Sequence, residues 1–261
     1  MRVGIRHAVL LAALGAPAVL VASSTACQAQ IEADASAADM TFFYRNPSPA
    51  LLRRIIRFID HIPADKKRGA VARAYGFLAG GFLRYPDALD QIIPDDLSPD
   101  GQAIVAVGLA LAGQAGRAGS IVGRLRLEGA PSPDLARLPR NLDAVPAEDA
   151  KLVELLWGAS FATGDGKYCQ KILDAYVAVA NQDGNAADLM TIARGHGLNG
   201  EALQQIMQTR GPRVAQTLMS MGSALWSLHA NAQLHDFVRQ VVNAYITAHP
   251  KDQAAEALLK V

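Results

Sequence analysis

Five histidines lie beyond residue 30, at His61, His196, His229, His235 and His249. Two imidazoles grip one metal when a His-Glu-x-x-His spacing puts them on one helical face, and no pair here has that spacing. His229 and His235 are six residues apart across a predicted helix break, so the histidines read as caps or surface groups. Gly158-Ala159-Ser160-Phe161-Ala162 has the outline of a nucleophile elbow. That chemistry needs a sharp strand-to-helix turn to expose the serine, whereas this segment is predicted inside a helix. Its small residues are expected to let two helices approach closely. Gly164-Asp165-Gly166-Lys167 lacks the spacing of a phosphate loop, and no predicted strand precedes it. Asn181-Gln182-Asp183-Gly184-Asn185 offers oxygen ligands but misplaces the glycine of a calcium loop and has no closing glutamate. Both read as interhelical turns. Asp87, Asp90, Asp95, Asp96 and Asp100 read as a solvated acidic loop. No catalytic, metal-ligating or cofactor-binding residue is assigned, and no cofactor is expected.

Charge offers one binding lead. Arg53, Arg54, Arg57, Lys66, Lys67 and Arg68, with Arg73, outweigh Asp60 and Asp65 over the first two predicted helices. An anionic partner such as a phospholipid head group or a cell-wall polymer fits such a patch. A solvated helix face is the plainer reading. Over the whole chain 25 basic residues face 24 acidic ones, for a formal net charge of +1, which argues against a dedicated nucleic-acid binder. Two cysteines exclude a disulfide-stapled scaffold and any Cys-rich metal site. With 51% hydrophobic and 19% charged residues, 261 residues are enough to bury a real core.

The first thirty residues carry a targeting pattern. Arg2 and Arg6 precede an apolar stretch from Ala8 to Ala22, interrupted by Gly15 and Pro17, and small residues follow at 24, 26 and 29. The apolar part is shorter than the ~20 residues that span a bilayer, so it reads as a signal peptide over 1–26. Thr25-Ala26-Cys27 resembles the end of a bacterial lipoprotein box, which implies lipidation at Cys27. Ser24 departs from that box, where an aliphatic residue is usual. The chain is expected to be exported, periplasmic or envelope-associated, and tethered to the membrane only if Cys27 is lipidated.

Beyond a flexible leader over 27–47, the pattern is helical. Ser48-Pro49 and Ser98-Pro99 each pair an N-cap with proline at the first helical position. Helices are predicted from Pro49 to Pro63, over 64–83, over 86–93 and through the apolar run Ile104–Ala112. Residues 128–146 hold four prolines and read as a linker between helical halves 48–127 and 147–261. The second half is predicted to hold helices over 147–163, 167–180, 186–194, 201–209, 212–230, 235–247 and 253–260. No stretch sustains the period-two alternation of a strand.

Trp157 and Trp226 stand 69 residues apart, and in that register Leu156 meets Leu225, Tyr168 meets Phe237, and Ala175-Tyr176 meets Ala244-Tyr245. The offset is close to two periods of about 34 residues. Trp157-Gly158-x-x-Phe161-x-Thr163-Gly164-Asp165-x-x-Tyr168 resembles the first helix and turn of a tetratricopeptide repeat. The Gly-Asp turn comes one residue early, and the second copy has Asn231-Ala232-Gln233 in its place. The resemblance implies an all-α fold of about ten helices, with antiparallel hairpins stacked as an α-solenoid and both tryptophans buried. The function expected is non-enzymatic binding of a protein or peptide in the envelope; the alternative is an envelope enzyme whose site is built from unremarkable residues.

Overall fold

Ser48 and Ser98 cap their helices as the sequence suggests, each side chain accepting from the backbone N–H three residues on. The computed structural model describes residues 36–182, 184–195 and 200–261, without the side chains of 64–70 and 200–203. The signal peptide, the first part of the leader over 27–35 with Cys27, and His196 fall outside the described residues. Residues 36–41 are helical, and after them come α1 (Pro49–His61), α2 (Ala64–Arg84), α3 (Leu89–Ile92), α4 (Pro99–Leu111), α5 (Ala115–Leu127), α6 (Ala150–Thr163), α7 (Gly166–Ala180), α8 (Asn185–Arg194), α9 (Gly200–Arg210), α10 (Pro212–Leu234), α11 (Asp236–Ala248) and α12 (Gln253–Lys260). The described residues contain no strand, and the fold is all-α. Contacts divide the chain into Met1–Ala38 and Asp39–Val261, and every contact described below lies within the second unit.

Helix α2 is the hub. Ala74, Phe77, Leu78, Ala79 and Phe82 are all buried, because α2 is covered by α6 on one side and by α4 and α1 on others. Its largest interface is with α6. There a Cβ placed on Gly76 would overlap the Leu155 carbonyl, and one on Gly158 would overlap the Arg73 carbonyl and the Phe77 amide. The two backbones therefore touch directly, which only glycine permits. This is the close approach that the small residues around Ser160 anticipated. Ser160 itself is fully buried in the middle of α6, not raised on a strand-to-helix turn.

A regular solenoid lets each repeat touch only its sequence neighbours. Here the dominant interface joins α2 to α6, on opposite sides of the 128–146 loop, so the contacts do not show regular tetratricopeptide-like stacking. The loop is pinned rather than free-swinging: Leu142 and Val145 are buried, and the Lys171 ammonium donates to the Asp143 and Val145 carbonyls. The paired-tryptophan expectation also needs correction. Trp157 is 1% exposed and Trp226 is 43% exposed, so the two indoles do not occupy equivalent buried places.

Helix α5 was not anticipated. Gly116, Gly119 and Gly123 give it low helical propensity, and it forms because Ala118, Val122 and Leu125 line up on one face against α4. A Cβ on Gly119 or Gly123 would meet nothing. Substitutions at the two kinds of glycine should thus have opposite signs. Gly158→Ala is expected to cost about 3 kcal/mol or more, since backbone cannot move aside. Gly119→Ala is expected to stabilise by about 0.5–1 kcal/mol. Urea unfolding of the two variants measures both.

Candidate functional site

The interior side of α10 is filled by Leu218, Met221, Leu225 and Leu228, all buried. A second stripe on the same helix, Met219, Ser223, Trp226 and Ala230 with Leu234 beyond, runs at helical spacing and faces outward. Gly222 lies between the stripes, and the absence of a side chain there lets Ile192 of α8 press against α10. Opposite the outward stripe stand Trp157 and Phe161 of α6, their rings stacked at 5.8 Å. The result is a cleft of about 540 Å³ walled by α10 and α6, with Ile192 and Ala193 of α8 also in its lining.

Polar groups on the cleft are held in place. The Trp157 indole N–H donates to Ser227 Oγ at 3.0 Å, and that hydroxyl donates to the Ala224 carbonyl at 2.9 Å. At one edge the Arg73 guanidinium donates to the Glu154 carboxylate at 2.7 Å, bridging α2 and α6. The lining is thus aromatic and aliphatic, with a charge-balanced rim.

His235 lies just behind this wall. It is completely buried between α10 and α11, against the rings of Phe42, Tyr44, Phe161 and Phe237 at 5.0–5.7 Å. Burial, reinforced by the nearby Arg45 charge and opposed by Asp236, pushes its pKa down to about 4. A surface or capping histidine was expected; the ring caps nothing and is buried. The sequence offers no sign of this, because Phe42 and Tyr44 come from the other end of the chain. They also fold in part of the leader: Phe43 is buried and packs edge-on to Phe77.

Three of the basic residues named from sequence are engaged with separate partners. Arg53 donates to the Gln91 and Ile93 carbonyls at the end of α3, Arg54 pairs with Asp39, and Arg57 pairs with Asp96. Lys66, Lys67 and Arg68 lie on α2, with side chains outside the described residues. Among the acidic positions, Asp90 pairs with Arg117. No group of His, Cys, Asp or Glu among the described residues could hold a metal ion. Gly164 takes the left-handed conformation at the end of α6 and Asp165 caps α7, so this segment is an interhelical turn. Cys169 is buried, and burial pushes its thiol up to about 12, which makes it inert at neutral pH.

No family model, curated protein or solved structure matches the chain. Among the described residues no helix is long and apolar enough to cross a membrane.

The two tryptophans should separate cleanly by fluorescence. Acrylamide is expected to quench only the Trp226 component, and Trp226→Phe should leave a blue-shifted emission that resists quenching. A strongly quenched Trp226→Phe protein would contradict the burial of Trp157.

Proposed function

We propose that this chain is an exported, non-catalytic binding protein whose α6–α10 cleft receives apolar side chains of a protein or peptide partner. The observation that carries this is Trp226, held 43% exposed on an outward apolar stripe beside Met219 and Leu234. A large exposed aromatic flanked by aliphatic side chains, at the mouth of a concave apolar surface, is how binding anchors are built. The charge-balanced rim suits a partner recognised by shape and apolar contact rather than by charge. Two helical hairpins, α6–α7 and α10–α11, frame the region, and tetratricopeptide-like kinship is part of the proposal only at the level of these hairpins.

Selection of a random peptide library against the protein tests the cleft. Enriched peptides are expected to carry aromatic or branched aliphatic anchors. Trp226→Ala should weaken them tenfold or more, leaving the unfolding midpoint nearly unchanged because the indole is half in water. Peptides bound equally well by Trp226→Ala would place recognition elsewhere.

Export rests on Arg2, Arg6, the Ala8–Ala22 stretch and the small residues before Cys27. Full-length chain made in a bacterial host should lose its first 26 to 29 residues. Cys27→Ser separates the two routes: a lipoprotein accumulates uncleaved, whereas an ordinary secreted protein is processed as before. Full-length protein starting at Met1 in the cytosol of its natural host would refute export.

A further inference from the structure

The segment Phe42–Arg45 crosses the α10–α11 junction as a strap, and its contacts converge on His235. The Tyr44 hydroxyl lies 3.0 Å from His235 Nδ1, and the Arg45 guanidinium donates to Tyr44 Oη at 3.2 Å and to the Leu234 carbonyl at 2.8 Å. Arg45 also stacks over the Phe42 ring at 4.4 Å. Tyr44 Oη accepts from Arg45 and shares one hydrogen bond with Nδ1, so it serves a single nitrogen of the ring. The other, Nε2, is buried and meets no partner among the described residues.

We propose that this strap is a latch released by acid, with His235 as its sensor. It does not depend on the binding reading above. The imidazolium carries a hydrogen on both nitrogens: Tyr44 can serve Nδ1, but the Nε2–H points into a buried place with no acceptor among the described residues. The new charge then lies near Arg45, within a shell of Phe42, Phe161 and Phe237. Asp236 is the group that favours the charged ring, and the others facing it do not offset its burial: Tyr44 and Arg45 come from the strap, the Leu234 carbonyl is taken by Arg45, and α6 contributes the apolar Phe161 ring. On α11 the adjacent Asp236 carboxylate is paired with Arg239. Undocking the strap removes Tyr44 and Arg45 together and lets water reach the imidazolium.

The sign follows from linkage. The docked ring titrates at about 4 and a solvated ring at about 6.5, so docking is fully favoured above pH 6.5 and loses ground as pH falls toward 4. The opening equilibrium should rise about tenfold between pH 7.5 and 5.5, and about 150-fold by pH 4. Thr41 and Leu234 both line the cleft, so release of the strap also alters one of its walls.

Hydrogen exchange of the Arg45 and Asn46 amides, which close the turn onto Phe42 and Phe43, reads the opening directly. After correction for intrinsic rates, their protection should fall about tenfold from pH 7.5 to 5.5 while α6 and α10 stay protected. His235→Phe keeps the packing, cannot be protonated, and should abolish the dependence. Should that variant not fold, carbon-13 histidine NMR of the native protein provides the second readout, with one imidazole titrating far below 6.5 in step with strap opening. Protection unchanged to pH 4, equal pH dependence in His235→Phe, or loss of α6 and α10 together with the strap would each overturn the latch.

Discussion

Between Gly76 and Gly158 two helix backbones meet with no side chain between them, and the position of nearly everything else follows from that contact. Interlocked backbones leave the two helices no room to slide, because any shift drives a Cα into a carbonyl. With α6 fixed on α2, Leu52 of α1 finds its place against Gly81, and Gly108 of α4 fits against Leu78 and Phe82. On its other side α6 presents Trp157 and Phe161 at one defined depth, and α10 closes on them through the Trp157–Ser227 hydrogen bond. The cleft is a by-product of this geometry: α10 touches α6 through small and polar groups, and its apolar stripe is left facing outward.

The same aromatic column links regions far apart in sequence. Trp157 stacks on Phe161, Phe161 packs at a tilt against His235, and His235 packs at a tilt against Phe42 and Tyr44. One face of the column opens on the cleft and the other holds the end of the leader. A polar ring in such surroundings is costly unless its hydrogen bonds are met, and only one of the two His235 nitrogens has a partner. Groups under this kind of tension mark places where a fold answers to its environment.

Local signals were legible. Ser48-Pro49 and Ser98-Pro99 start helices where their chemistry demands, and the turn at Gly164-Asp165 ends one helix and caps the next. Helix breaks in the second half fall within a few residues of the observed ones, because glycine, asparagine and proline act through neighbouring backbone. Partnership was not legible. Hydrophobic periodicity says that a helix has a buried face but not which helix covers it, so the 69-residue register of Trp157 and Trp226 suggested equivalent positions that packing does not give them. Helix α5 escaped notice because its glycines argue against helix locally and its support comes from α4. His235 and Trp226 were misplaced for the same reason: burial is decided by residues that no spacing rule connects.

The pairing of α2 with α6 also sets an order of events during synthesis. The glycine face of α2 leaves the ribosome long before its partner exists, since α6 ends at Thr163. Until then the first half has its hub helix open on one side, and α1, α4 and α5 gather around an incomplete centre. Such non-local closure slows folding and keeps nascent chain pliable. A chain threaded through a membrane before it folds gains from that delay, whereas one finished in the cytosol would spend it with apolar surface exposed.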